Sequence, residues 1–212
     1  MKRIALAFLM PILAGAATIA TTGGAQAADG KALFVTCQAC HGARGEGNRQ
    51  LGAPNIAGME PWYIERQLNN FASGMRGADS SDGYGAQMRV AVNNVPTPAD
   101  KTAIATYIAS LPRVPAAAAP DIKGDLTQGS THFNAVCSAC HGAGGLGNVN
   151  MQVPRLAGID TVYLARQFAS YRSGKRGYHK DDKYGKQMRA GAGMLDAKHE
   201  QDVMAYIATL KP

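Results

Sequence analysis

The sequence predicts an all-α protein: two small tandem domains joined by a Pro/Ala-rich linker, behind an N-terminal signal peptide. Three observations carry that reading. The chain matches itself at an offset of 100 residues, its apolar residues recur at helical spacing with no repeated strand alternation, and its first 27 residues have the form of an export signal.

Taken in order, Met1-Lys2-Arg3 precede an uncharged apolar run, Ile4 to Ala20, and Ala25-Gln26-Ala27 fits the A-x-A rule for secretory cleavage. Cleavage after Ala27 leaves 185 residues exported to the periplasm. The run approaches membrane-spanning length, so a retained anchor competes, but Pro11 and the A-x-A site favour cleavage. The first domain, 28–112, opens with a helix over Lys31 to Cys40. A Gly- and Asn-rich loop follows between Gly42 and Gly58, then a helix over Trp62 to Ala72. Its last helix starts at Thr97-Pro98, an N-cap followed by a first-turn proline, and carries the stripe Ile104, Ile108, Leu111. The stretch 113–126 contains Pro115 and Pro120 with four alanines between them and reads as a semi-rigid linker. The second domain, 127–212, repeats the plan with helices over Thr131 to Cys140, over Val162 to Tyr171, and from Asp196 through Val203, Ile207 and Leu210.

From Cys37 to Arg89 against Cys137 to Arg189, 25 of 53 positions are identical. Each unit, of about 80 to 90 residues, is small for a hydrophobic core alone and calls for a staple. Four cysteines are too few for a disulfide scaffold, and 46% hydrophobic content argues against disorder. The formal charge of +7 falls to +5 without Lys2 and Arg3. Because the basic residues are scattered rather than striped, nucleic acid is excluded as a partner. Acidic redox proteins and peripheral membrane association fit the charge better.

The chemistry lies in Cys37-Gln38-Ala39-Cys40-His41 and its copy Cys137-Ser138-Ala139-Cys140-His141. Cys-x-x-Cys-His is the attachment signature of c-type haem. On a helical turn the two thiols reach the two vinyl groups of one haem edge, and the next residue offers its imidazole to the iron. The cofactors expected are therefore two covalently bound haem c groups. Cys37, Cys40, Cys137 and Cys140 are the thioether anchors, and His41 and His141 the proximal ligands. A redox dithiol needs no histidine and sits in a βαβ context absent here; a zinc site would have to join pairs 100 residues apart.

Among the methionines only Met88 and Met188 are partners at the shared offset, each 47 residues after its histidine, and they are the candidates for the sixth ligand. Met59, Met75, Met151 and Met194 face Ile159, Lys175, Leu51 and Asn94 and read as packing residues. His132 and His179 read as surface or linker residues. Two strong-field ligands close an iron to substrate, so the expectation is an electron-transfer protein rather than an enzyme. Pro54 and Pro154 are candidate carbonyl partners for the proximal imidazoles, while Tyr63, Tyr163, Arg66 and Arg166 are candidates for the haem pocket, holding propionates. Four propionates and two ferric cores bring the charge from +5 to about +3 oxidised and about +1 reduced.

With these residues in place, each half resembles a class I cytochrome c domain: a helix ending in Cys-x-x-Cys-His, a Gly-rich loop, a methionine, and a closing helix with Tyr-Ile-Ala-x-Leu. The tandem arrangement, with Pro-x-x-Ala-Gly and Tyr-x-x-Arg-Gln in each half, is similar to the di-haem cytochrome c4 family. That resemblance implies an electron carrier between respiratory-chain donors and a terminal oxidase or reductase, with haem propionate edges facing across the domain interface. Its redox partners would be an oxidase, a cytochrome complex or a dehydrogenase. Gly74-Met75-Arg76-Gly77 and Gly174-Lys175-Arg176-Gly177, each followed by Tyr-Gly-x-Gln-Met, also resemble cytochrome modules of oxidases and dehydrogenases. The alternative function is thus the electron-transfer subunit of a periplasmic dehydrogenase of flavocytochrome or alcohol dehydrogenase type. A di-haem peroxidase or thiosulfate dehydrogenase is disfavoured by the matched methionines.

Overall fold

The computed structural model describes residues 29–115 and 122–211. The signal segment, its cleavage site and linker residues 116–121 lie outside that range. The first half holds α1 (Gly30–His41), α2 (Pro61–Ala72), α3 (Gly83–Val92) and α4 (Pro98–Ser110). The second holds α5 (Leu126–His132), a π-helical turn (Phe133–Cys137), α6 (Ser138–His141), α7 (Thr161–Arg172), α8 (Lys183–Ala192) and α9 (Ala197–Ile207). No strand forms among the described residues; the isolated bridges Asn48–Ala53 and Asn148–Val153 pin matching loops. None of the described helices is long and apolar enough to cross a membrane.

Helix starts follow capping chemistry. Asp29, Asp82, Asp125, Asp160, Asp182 and Asp196 each accept a backbone N–H of the following turn. Thr97 and Asp100 close a reciprocal capping box on α4. The stretch expected as linker ends inside structure, since Asp125 caps α5 and the helix begins at Leu126.

In each half the first helix crosses the last, α1 on α4 and α5 on α9. Gly30 and Gly129 stand at those crossings. A β-carbon on Gly30 would lie 2.2 Å from Ala103 O, and one on Gly129 2.1 Å from Asp202 O. Phe34 and Phe133 seal the crossings, both fully buried, each with its ring 5.4 Å from Tyr107 or Tyr206.

The two halves differ at one place that sequence periodicity did not foresee. Phe34 precedes Cys37 by three residues, whereas Phe133 precedes Cys137 by four. The π-helical turn Phe133–Cys137 absorbs the extra residue, so both the crossing and the cysteine motif keep their places.

Helices α3 and α8, which carry Met88 and Met188, were not expected from the sequence. Their starts, Gly83-Tyr84-Gly85 and Lys183-Tyr184-Gly185, have weak helix propensity, and α3 buries only Gly85 and Val92. Tertiary contact supplies what propensity lacks. Gly77 and Gly177 adopt φ of 75° and 69°, and a β-carbon there would lie 2.3 and 2.2 Å from Gly85 O and Gly185 O.

The halves share apolar packing, with Ile159 of the second buried in the core of the first. Around it Asn55 Nδ2 donates to Gly158 O at 2.8 Å and Asn55 Oδ1 accepts from Asp160 N at 3.0 Å. Arg49 pairs with Asp160 at 2.5 Å, and the buried Arg155 with Glu60 at 3.5 Å.

Gly30→Ala and Gly129→Ala should each cost about 1–3 kcal/mol through overpacking, lowering Tm by roughly 4–8 °C per kcal/mol. Gly191→Ala, where nothing lies within 4 Å of the added carbon, should be neutral or mildly stabilising. Thermal unfolding of the three variants checks both statements; equal Tm values would refute the tight crossing.

Candidate functional site

Each half holds a cavity, of about 190 Å³ in the first and about 200 Å³ in the second. The first is lined by Cys37, Cys40, His41, Pro54 and Met88, the second by Cys137, Cys140, His141, Pro154 and Met188. Helix α1 ends at His41, where Gly42 turns the chain at φ 82°, and α6 ends the same way at His141 and Gly142. The cysteine pair and histidine thus occupy the last helical turn facing the cavity.

His41 Nδ1 donates to Pro54 O at 2.9 Å, and His141 Nδ1 to Pro154 O at 2.9 Å. A carbonyl only accepts, so Nδ1 carries the proton in both rings and Nε2 keeps its lone pair. Burial pushes both imidazole pKa values down, against the smaller upward pull of the proline carbonyls. Both rings are therefore held neutral and basic at Nε2, the form that ligates a metal.

Burial pushes the Cys37 thiol up, and Cys137 up to about 11. A redox dithiol needs the opposite, a depressed thiol pKa. That observation argues against disulfide exchange at either motif.

The other sequence candidates fall into a crossed pattern. Tyr63 and Tyr163 line both cavities. Arg66 of the first half lines the second cavity, and Arg166 of the second half lines the first. Of the methionines read as packing residues, Met59 is buried in the first core and also lines the first cavity, Met151 and Met194 are exposed, and Met75 lines the second cavity. His132 closes α5 half-buried, its ring 3.9 Å from that of His199, so it is a helix residue of the second half and not part of the linker.

Sequence reasoning quoted Arg76 and Arg176 within a repeated motif but assigned them no role. Arg76 and Arg176 are buried, with no carboxylate ion pair among the described residues. Arg76 donates to Gln67 and Gln167 Oε1, both at 2.8 Å, and to the Tyr163 hydroxyl at 3.1 Å. Arg176 donates to Gln167 Oε1 at 2.8 Å and Gln67 Oε1 at 3.1 Å. Burial works against the charge of Arg176, yet the surrounding Tyr171, Tyr63 and Tyr163 oxygens raise its pKa overall. The signal was present in the repeat, since Arg76 and Arg176 match at the shared offset.

These residues fit a haem in each cavity. A neutral imidazole stands next to a cysteine pair on a helical turn, and a methionine lines the same space. Two buried guanidiniums between the cavities lack the anion that buried cations require, and haem propionates are such anions. Arg166 Nε, also buried, finds no acceptor among the described residues.

Comparison with known proteins agrees with this geometry. The family model described as cytochrome c matches residues 27–112 and again 126–211. The chain is 30% identical over 207 residues to the thiosulfate dehydrogenase electron acceptor of Stutzerimonas stutzeri, covering 93% of this chain and 94% of that one. It is 28% identical over 205 residues to cytochrome c4 of Pseudomonas aeruginosa, covering 91% and 94%. Among solved structures, reduced recombinant cytochrome c4 from Pseudomonas stutzeri superposes with a TM-score of 0.69 at 27% identity, covering 85% of this chain and 96% of that one.

Arg76 lines both cavities. Ferric iron carries one more positive charge than ferrous, so removing this cation favours the oxidised state of both groups. Arg76→Gln should lower both midpoint potentials, each on the order of tens of millivolts. Arg44→Gln, at a side chain 74% exposed, should move neither. A redox titration of the two holoproteins reads this, and a shift confined to one haem would contradict it.

Proposed function

The chain belongs to the cytochrome c family in both halves and carries two covalently bound haem c groups, and on that premise we propose that it is a periplasmic electron carrier with His/Met ligation at both irons. The exported location rests on the segment ending at Ala27, and the ligand sets are His41 with Met88 and His141 with Met188. The observation that carries the reading is the matched pair of cavities. In each, a neutral imidazole held through Nδ1 shares the lining with a methionine at the equivalent position of the repeat.

A bound haem supplies a one-electron couple. The protein's residues determine how it is used. Pro54 and Pro154 orient the imidazoles, and the cysteines fix the group against loss. A thioether sixth ligand favours ferrous iron, raises the potential and keeps small substrates from the metal. Electron transfer without bond-making follows, so the protein acts as carrier and not as catalyst. Its donors and acceptors are redox proteins, a respiratory cytochrome complex or dehydrogenase on one side and a terminal oxidase or reductase on the other.

A second reading, as the electron-accepting subunit of a dehydrogenase, draws on the similarity to a relative named for accepting electrons from thiosulfate dehydrogenase. Rapid reduction by a thiosulfate-oxidising dehydrogenase, measured by stopped-flow absorbance, would favour it over the free carrier.

In the ferric holoprotein the methionine-to-iron absorption band should account for two haems. Met88→Ala and Met188→Ala should each remove half of it and lower one potential. If neither variant changes band or potential, the ligand assignment is wrong. Intact mass of the mature protein should correspond to a chain starting at Ala28 plus two haems.

A further inference from the structure

Arg66 and Arg166 hold equivalent positions on α2 and α7, yet neither serves the cavity of its own half. Arg166 crosses to the first half, where it donates through Nη2 to Gly52 O and lies 4.1 Å over the ring of Tyr84. Arg66 crosses the other way, donating through Nη1 and Nη2 to Gln152 O, both at 3.0 Å, and lying 4.5 Å over the ring of Tyr184. Tyr84 and Tyr184 are the second residues of α3 and α8, each four residues before the methionine of that helix. A guanidinium over an aromatic face is attracted by the ring quadrupole, more strongly when shielded from water. Each arginine therefore ties a loop of the opposite cavity to the start of the opposite methionine helix.

A second, independent observation lies at the acceptor residues. Gly52 has φ 66°, and its counterpart Gln152 has φ 59°, the one non-glycine residue with positive φ among those described. A left-handed glutamine is disfavoured unless its surroundings hold it there. The two hydrogen bonds from Arg66 are contacts that do so. At the first cavity the loop sits so close that a β-carbon on Gly52 would lie 2.2 Å from the Tyr84 ring.

We propose that Arg66 and Arg166 are positioning residues acting in trans, each setting the methionine-bearing wall of the haem cavity in the other domain. The inference rests on the Met88 and Met188 ligation proposed above. Ligand strength at one iron is then governed by a residue of the partner half, and docking of the domains is part of each site. A purely local role would disturb the arginine's own domain, and a merely structural one would disturb both.

The test uses ferric holoprotein and paramagnetic proton NMR, in which each ligand methionine gives its own shifted methyl resonance, assigned by Met88→Ala and Met188→Ala. Arg166→Gln should shift or broaden the Met88 resonance and lower the potential of that haem, with the Met188 resonance unmoved. Arg66→Gln should do the reverse. Arg166→Lys and Arg66→Lys, which keep the charge but lose the planar fork, should give smaller shifts in the same crossed sense and serve if the glutamine variants do not mature. Shifts in the arginine's own half, equal shifts in both halves, or no shift would overturn the proposal. Failure of the ligation reading shows separately, because Met88→Ala and Met188→Ala would then remove no resonance from the wild-type spectrum.

Discussion

Two guanidinium groups buried between the domains, Arg76 and Arg176, set the terms on which the halves meet. They share the carboxamide oxygens of Gln67 and Gln167, two donors from one half and two from the other, and neither has a carboxylate ion pair among the described residues. Neutral amides and phenols compensate such charges only in part, because the desolvation of a cation amounts to several kcal/mol. Haem propionates are anions that would complete the set. The interface is thus polar at its centre. Apolar packing also joins the halves, with Ile159 buried in the opposite core.

The duplicated frame shows which features tolerate change. The crossing of first and last helices is kept to atomic detail, with glycine against a backbone carbonyl and phenylalanine against tyrosine at 5.4 Å in both halves. Between the crossing and the cysteine motif the second half has one more residue, and a π-helical turn takes it up. Both ends of that segment are fixed, one by close packing and the other by covalent chemistry. The backbone between them is where the difference had to go.

Much of this was legible in the sequence because the signals were local. Helical periodicity placed α1, α2, α4, α7 and α9 within a few residues, with the Thr97-Pro98 cap marking the start of α4. The helices bearing Met88 and Met188 escaped notice, since two glycines or a lysine-rich face hide any periodicity and their start is stabilised by the contact of Gly77 with Gly85. The pocket residues divide in the same way. Pro54 and Pro154 were picked by a fixed spacing from the histidine within one loop, whereas the crossed destinations of Arg66 and Arg166 depend on a partner more than 80 residues away.

What the sequence by itself determined is the covalent chemistry: two Cys-x-x-Cys-His motifs in register, one haem c for each. Covalent attachment and the proximal imidazole depend on residue type and short spacing, which the chain carries whatever its fold. Only the tertiary structure decided which cavity each arginine serves, where Arg76 and Arg176 are buried, and how the inserted residue is absorbed. Those outcomes follow from docking two domains, and a long flexible side chain at an interface takes its partner from whatever surface is brought against it.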